Sequence, residues 1–327
     1  MEFGVFSLTD VAGDTTVADR VRTVIDLGVH ADEVGLDVFG VGEHHTPRFA
    51  VSSPAVVLSA IAARTTSIRL TSTVSVLSVL DPVRLYQDFA QLDLVAAGRA
   101  EVTVGRSAYA EPFGLFGVPI ADYDAVFEEK LDLLVSLRDD EPVTWTGRYR
   151  PPLANAHVVP RLSRPLPVWV GVGGTPASAT GAGRRGLPLS LALLGGTAAR
   201  SRPLVDAYRE AFVGRDRHAH TSIAGVSHFY VGPTSQQARE TFYPYYRTYF
   251  ADGRGVHLDR ATFEQMAGPR GPLVVGSAAE VADKVSAQHE VLGVDRFLGQ
   301  VDLGGLHTRL SLASMDRLAH DVVPQFS

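Results

Sequence analysis

Cysteine is absent from this 327-residue chain, which excludes disulfides, thiolate nucleophiles and cysteine-held metals. Charge of one sign is not in large excess. The 30 basic and 36 acidic residues leave a formal −6, and no long basic run offers a nucleic-acid surface. Long hydrophobic runs are also missing. The apolar stretch near Leu187–Leu194 is far shorter than the roughly 18 residues of a membrane-spanning helix. The opening MEFGVFSLTD has neither a basic leader nor a long apolar core, so it does not read as a signal peptide, and a cytoplasmic protein is expected. No GxSxG elbow is present to support a nucleophilic serine. What the chain does have is 45% hydrophobic residues and 31 glycines, which suits a large core crossed by many turns.

Short apolar segments alternate with amphipathic ones. Strands are expected at Glu2–Ser7, Val38–Gly42, Ile68–Val76, Glu101–Val104, Leu166–Val172, Leu189–Leu193, Ser222–Val231 and Arg296–Leu303. Helices are expected between them, with strong starts at Ser53-Pro54 and Pro82 and stops at Gly35 and Gly98. Such alternation argues for a parallel sheet. Roughly eight βα units in one chain argue for a closed (β/α)8 TIM barrel, with an open doubly wound sheet as the rival. No linker divides residues 1–327, so one domain is expected. Long connections lie at Arg106–Asp122, Asp140–Pro165 and Ala251–Pro272, where binding loops or lids are common.

In a barrel of this kind the site forms where the strands end. The second strand ends in Glu43-His44-His45. Side chains alternate along a strand, so Glu43 and His45 should share one side and His44 the other. Histidine is the side chain most readily tuned as acid or base near neutral pH. The bland alternative is a structural histidine pair under a loop. Gly105-Arg106-Ser107 follows the fourth strand, and its guanidinium fork matches phosphate. Its alternative is a salt bridge on the rim.

Gly171-Val172-Gly173-Gly174-Thr175-Pro176 follows the fifth strand and opens a helix whose free N–H groups suit an anion. It is not a dinucleotide fingerprint, since Pro176 stands where the third glycine belongs. Gly276-Ser277 and Gly304-Gly305 compete as phosphate sites, and spacing alone does not separate them. Metal binding is not expected, because three consecutive residues on a strand cannot all face one ion. His157, His218 and His220 read as solvated. The aromatic group Tyr243, Tyr245, Tyr246, Tyr249 and Phe250 could rest on the barrel wall or line an apolar pocket.

The ordered segments FGVF, GLDVFGVGEHH, SSPAVVLSAIAART, DPVRLYQDFAQLDLVAAGRAEVTVGR, LPVWVGVGGTP and VDLGGLHTRLSLASMDRLAHDVVP resemble the bacterial luciferase-like flavin-dependent monooxygenases over almost the whole chain. The resemblance implies a TIM barrel, usually dimeric, with FMN across its C-terminal mouth. It implies His44 as the active-site histidine, with Glu43 and His45 in support. Arg106, flanked by Gly105 and Ser107, and Gly173, Gly174, Thr175 and Ser178 would hold the phosphate. Ser72, Thr73 and Val74 would underlie the ring, where relatives often hold a non-proline cis peptide. A mobile lid is implied over Ala251–Pro272. Luciferases proper carry glycine at Ser107 and tryptophan near Leu193, so a non-luminescent relative is expected.

The implied activity is that of a two-component monooxygenase. A separate flavin reductase supplies reduced FMN, and oxygen reacts through a C4a-peroxyflavin to oxidise a small carbonyl compound. Two alternatives keep the fold: hydride transfer with the deazaflavin F420, and a flavin-binding subunit without turnover.

Overall fold

The computed structural model describes residues 1–214 and 221–326; His218 and His220 lie outside the described residues. In chain order the strands are β1 (Glu2–Ser7), β2 (Val38–Val41), β3 (Arg69–Ser72), β4 (Ser75–Val76), β5 (Val102–Gly105), β6 (Val143–Trp145), β7 (Leu153–Ala156), β8 (Val168–Val172), β9 (Leu189–Ala192), β10 (Ile223–Val231), β11 (Val274–Gly276) and β12 (Arg296–Gln300). The main sheet has ten segments. They reduce to eight staves, because β4 continues β3 and β11 pairs with β10 off the main path.

The staves run parallel in the order β1, β2, β3/β4, β5, β8, β9, β10, β12 and back to β1. Leu70 bridges to Ala100, with the Leu70 amide 3.0 Å from the Arg99 carbonyl, which closes the ring between β3 and β5. The expected barrel is therefore the observed fold. All its strand C-termini open at one end.

The helices are α1 (Val17–Glu33), α2 (Pro54–Ala62), α3 (Pro82–Val95), α4 (Glu111–Leu115), α5 (Tyr123–Asp139), α6 (Pro176–Arg184), α7 (Ala198–Ala211), α8 (Ser235–Arg254), α9 (Arg260–Ala267), α10 (Ala278–Leu292) and α11 (Thr308–Arg317). Asp81 caps α3 by accepting from the Val83 amide at 2.8 Å, ahead of Pro82. Pro54 opens α2 as expected, but the Ser53 hydroxyl makes no capping bond.

The expected long loops are partly structured. Arg106–Asp122 contains α4, and Asp140–Pro165 contains the antiparallel β6–β7 hairpin. Ala251–Pro272 holds the last turn of α8 and all of α9, which buries Phe263 and Ala267. The third expected strand breaks in two at Ser72–Ser75, and the Thr73–Val74 peptide there is cis, as the resemblance implies.

Inside the barrel the side chains form tiers. The tier at the N-terminal end is ionic. Arg296 is 4% exposed and pairs with Glu101 at 2.6 and 3.1 Å and with Glu2 at 2.6 Å. Arg69 also pairs with Glu2, and the Arg296 guanidinium lies 4.2 Å from the Trp169 ring centroid. Above it Phe6, Val38, Trp169, Ala224 and Leu298 form an apolar plug. Toward the C-terminal mouth the inward positions shrink to Gly40, Gly105 and Gly171.

Removing one member of a buried ion cluster leaves its partner charge desolvated and unpaired. Glu101→Ala should therefore lower the unfolding free energy by about 3 kcal/mol in urea titrations. The same change at exposed Asp26, paired with exposed Arg64, should cost less than about 1 kcal/mol.

Candidate active site

The three glycines at the mouth make a niche. A Cβ on Gly40 would lie 2.5 Å from Thr73 Cγ2, one on Gly105 2.6 Å from Val74 Cγ2, and one on Gly171 2.8 Å from Val74 Cγ1. Glycines on three strands thus let Thr73-Val74 lean over the barrel mouth. Ser72 lies below, fully buried, and its hydroxyl donates to the Thr103 carbonyl at 2.8 Å.

Glu43 anchors this shelf. One carboxylate oxygen accepts from the Val76 amide at 3.1 Å, and the other lies 2.8 Å from His45 Nε2. Glu43 and His45 meet on one side as expected, although β2 ends at Val41 and the two residues lie in the loop after it. The Phe116 ring packs edge-on against His45, with centroids 4.9 Å apart.

His44 takes the other side. Its amide donates to the Val51 carbonyl at 3.0 Å, which fixes the loop after β2. Its ring stacks on Phe49 at 3.8 Å between centroids and meets the edge of Tyr109 at 5.6 Å. Burial, reinforced by the nearby charges of His45 and Arg48, pushes its pKa down to about 3. The imidazole is therefore neutral across the physiological range. It can accept a proton or share a hydrogen bond, but it does not begin as an acid. Its Nε2 atom and the Thr73 hydroxyl are buried without a hydrogen-bond partner among the described residues. Buried polar atoms are rarely left so. Two such atoms beside the mouth fit a ligand with polar edges.

Arg106 begins the loop after β5. Its Nη1 donates to the Ser178 hydroxyl at 3.0 Å and its Nη2 to Glu128 at 2.6 Å. Its Nε lies 3.1 Å from Asp124, and Phe127 covers its face at 3.9 Å. A cleft of about 520 Å³ opens here, lined by Arg106, Asp124, Glu128, Thr175, Ser178 and Arg185 among others. Gly173, Gly174 and Thr175 are exposed on the turn into α6, and Thr175 makes no side-chain cap. Pro176 has no N–H and the Ser178 amide donates to the Thr175 carbonyl at 3.1 Å, which leaves the Ala177 amide as the N–H of the first turn open to an anion.

Arg106 and His44 share one rim. Val76 pairs with Gly105, so the Glu43 carboxylate, the shelf and the Arg106 loop are consecutive contacts. Ser107 holds a left-handed backbone at φ 80°, where glycine sits without strain, and its hydroxyl accepts from the Tyr109 amide at 3.0 Å.

The competing phosphate positions are filled. A Cβ on Gly276 would meet Glu280 at 2.5 Å, and Ser277 caps α10. Gly304 lies against the Tyr245 carbonyl, and its amide donates to Asp10 at 2.8 Å. In the aromatic group, Tyr246 is buried against Phe242 and Phe263 and also meets His228, its hydroxyl 3.2 Å from Nδ1, and Tyr249 and Phe250 edge the same His228 ring. His157 is exposed and pairs with Glu141. Among the described residues no cluster of three or more candidate ligands could hold a metal ion.

Sequence reading missed several residues. Asp124, Glu128 and Asp132 lie four apart on α5, a spacing that makes an acidic stripe facing the cleft. Buried Asp302 accepts from Ser7 at 2.6 Å and pairs with Arg20. Gln300, level with His228 near the mouth, leaves both amide atoms unpaired among the described residues.

With this geometry in place, the comparisons are specific. The profile of the luciferase-like monooxygenase family matches residues 1–296, and the chain belongs to that family. The oxygenase component of a flavin-dependent trigonelline monooxygenase from Acinetobacter baylyi is 24% identical, over 100% of this chain and 96% of its own length. The monooxygenase RslO1 of Streptomyces bottropensis superposes with a TM-score of 0.87 at 23% identity, covering 100% of both chains. The oxygenating constituent of 3,6-diketocamphane monooxygenase from Pseudomonas putida, solved with FMN, gives 0.80 at 18% identity over 99% and 98%. F420-dependent enzymes share the fold too. The protein is a flavin-dependent oxidoreductase of the monooxygenase kind. No helix among the described residues is long and apolar enough to cross a membrane.

Two outcomes test this geometry. Gly105→Ala forces Val74 to move and should cost about 1–3 kcal/mol of stability by denaturant titration. His44 gives a pH signature. Above pH 6.5 it is neutral whether folded or unfolded and contributes nothing. Below that, the unfolded chain takes up a proton that the folded one refuses until about pH 3. Stability attributable to His44 therefore falls as pH falls, by about 1.4 kcal/mol per unit. Asp10, raised from 3.8 to about 6 by burial and the Asp302 charge, acts in the opposite sense as pH rises through that range. The readout is thus the difference between wild type and His44→Asn, which should show the histidine slope alone.

Proposed function

We propose that this chain is the oxygenase of a two-component FMN system, fed with reduced flavin by a separate reductase, and that it oxidises a small organic substrate, in our reading a carbonyl compound. The observation that carries the proposal is one rim holding both a neutral, buried imidazole and a guanidinium cleft, with a glycine-made shelf between them. The likeness to an oxygenase component and to an FMN-bound fold neighbour supports it. The changes at Ser107 and Leu193 favour a non-luminescent enzyme.

Arg106, the Ser178 hydroxyl and the open turn Gly173-Gly174-Thr175 would hold the phosphate. Thr73-Val74 would support the ring from below. Bound reduced flavin supplies the two electrons with which dioxygen is activated. His44, neutral and a weak base where it is buried, would hydrogen-bond the reacting oxygen and relay its proton only as charge develops there, a general acid and base role worth about 10²- to 10⁴-fold. Glu43 and His45 position the shelf rather than touch the reacting atoms. Phe49 and Tyr109, packed on His44, keep that atom out of bulk water. We further propose a homodimer through α2 and α3, where Val56, Leu94 and Val95 are left 68%, 53% and 47% exposed.

The fold also admits F420 hydride transfer with the same phosphate residues, and direct titration with each cofactor separates the two. Arg106→Ala should weaken FMN binding about 10- to 100-fold, the loss of a charge-assisted contact, while riboflavin binding stays level. His44→Ala should lower substrate oxidation about 10²- to 10⁴-fold and divert oxygen to free hydrogen peroxide. Unchanged coupling of oxygen uptake to product would remove His44 from the mechanism.

A further inference from the structure

We infer that Asp124 is an internal competitor for the flavin phosphate, which keeps the flavin dissociable, while Glu128 positions the guanidinium that binds it. The inference rests on the phosphate role of Arg106 proposed above. Arg106 presents five N–H groups but is walled in: its side chain is only 10% exposed, and Phe127 covers one face. Ser178 and Glu128 accept hydrogen bonds from its two terminal nitrogens, whereas Nε makes none among the described residues and is only covered by the Asp124 carboxylate at 3.1 Å. The Nε edge is thus the one a phosphate dianion can take, once Asp124 yields.

The two carboxylates are not equivalent. Glu128 is locked. One oxygen takes Arg106, and the other takes Arg185 Nη1 at 2.7 Å. Arg185 is itself tied to Asp132 at 2.6 Å and to the Gly181 carbonyl at 3.1 Å. Releasing Glu128 would unfasten two guanidiniums at once. Asp124 is loose. Its side chain is 80% exposed, it sits in the first turn of α5, and among the described residues Arg106 is its sole ion-pair partner.

The cleft as a whole is balanced. Arg106, Arg184 and Arg185 face Asp124, Glu128 and Asp132. An arriving phosphate therefore finds no excess positive charge until Asp124 swings into solvent, and even then the carboxylate remains a nearby like charge. Removing that charge should strengthen phosphate binding without touching the ring site. Weak retention suits a flavin that is received from another protein and returned to it each turnover.

The test uses the full chain as wild type, Asp124→Asn and Glu128→Gln. Each is titrated with FMN and with riboflavin by flavin fluorescence, at low and high salt. Asp124→Asn should tighten FMN about 2- to 5-fold at low salt, the range of a solvent-exposed charge interaction. Riboflavin should be unaffected, and the gain should shrink as salt screens the pair. Glu128→Gln should weaken FMN instead. FMN affinity that is unchanged or lower in Asp124→Asn, in a wild type that prefers FMN to riboflavin, overturns the inference alone. Tightening by Glu128→Gln to the same degree overturns the division of roles. A wild type that binds FMN no better than riboflavin overturns the phosphate site itself, and this inference with it.

Discussion

The mouth of this barrel depends on missing side chains. Gly40, Gly105 and Gly171 lie on three strands, and the space where their Cβ atoms would stand is filled by Thr73 and Val74. The rim is built outward from that shelf. Glu43 is tied to it through the Val76 amide, His45 is tied to Glu43, and Val76 pairs with Gly105 beside Arg106. A close-packed interior transmits small displacements. A methyl group at any of the three glycines would therefore be felt at both ends of the rim, by the imidazole and by the guanidinium.

The two ends use charge in opposite ways. At His44 the protein withholds it: burial first, then the nearby His45 and Arg48, keep the ring neutral where it stacks on Phe49. At Arg106 the protein supplies a permanent cation and then balances it with carboxylates from one face of α5. The first arrangement leaves a polar group that can hydrogen-bond without carrying charge. The second leaves a cation whose charge is nearly cancelled by its neighbours. Both are set by the same short segment of chain, since the loop after β5 carries Arg106 and also Tyr109, whose ring edges His44.

Much of this was legible in the residue order, for identifiable reasons. Barrel strands are buried on both faces, so they stand out as apolar runs, and all eight were located. Glu43 and His45 do meet as expected, but in the loop beyond β2, where strand alternation no longer applies. The break between β3 and β4 left no trace in hydropathy, because Ser72-Thr73-Val74 is as strand-like as its neighbours. Arg106 was recognisable, but its partners on α5 were not, since they depend on how that helix packs over β5. The choice among phosphate positions was also invisible. Gly276 is filled by Glu280 and Gly304 by the chain at Tyr245, and such occupancy is tertiary information.

The ionic tier at the opposite pole has a consequence for traffic. Arg296 and Glu101 are 4% and 5% exposed, with the Trp169 ring laid over the guanidinium, and the apolar plug lies directly above. The barrel axis is stoppered there, so it works as a cup rather than a pipe. Whatever enters that cup must leave through the same doorway.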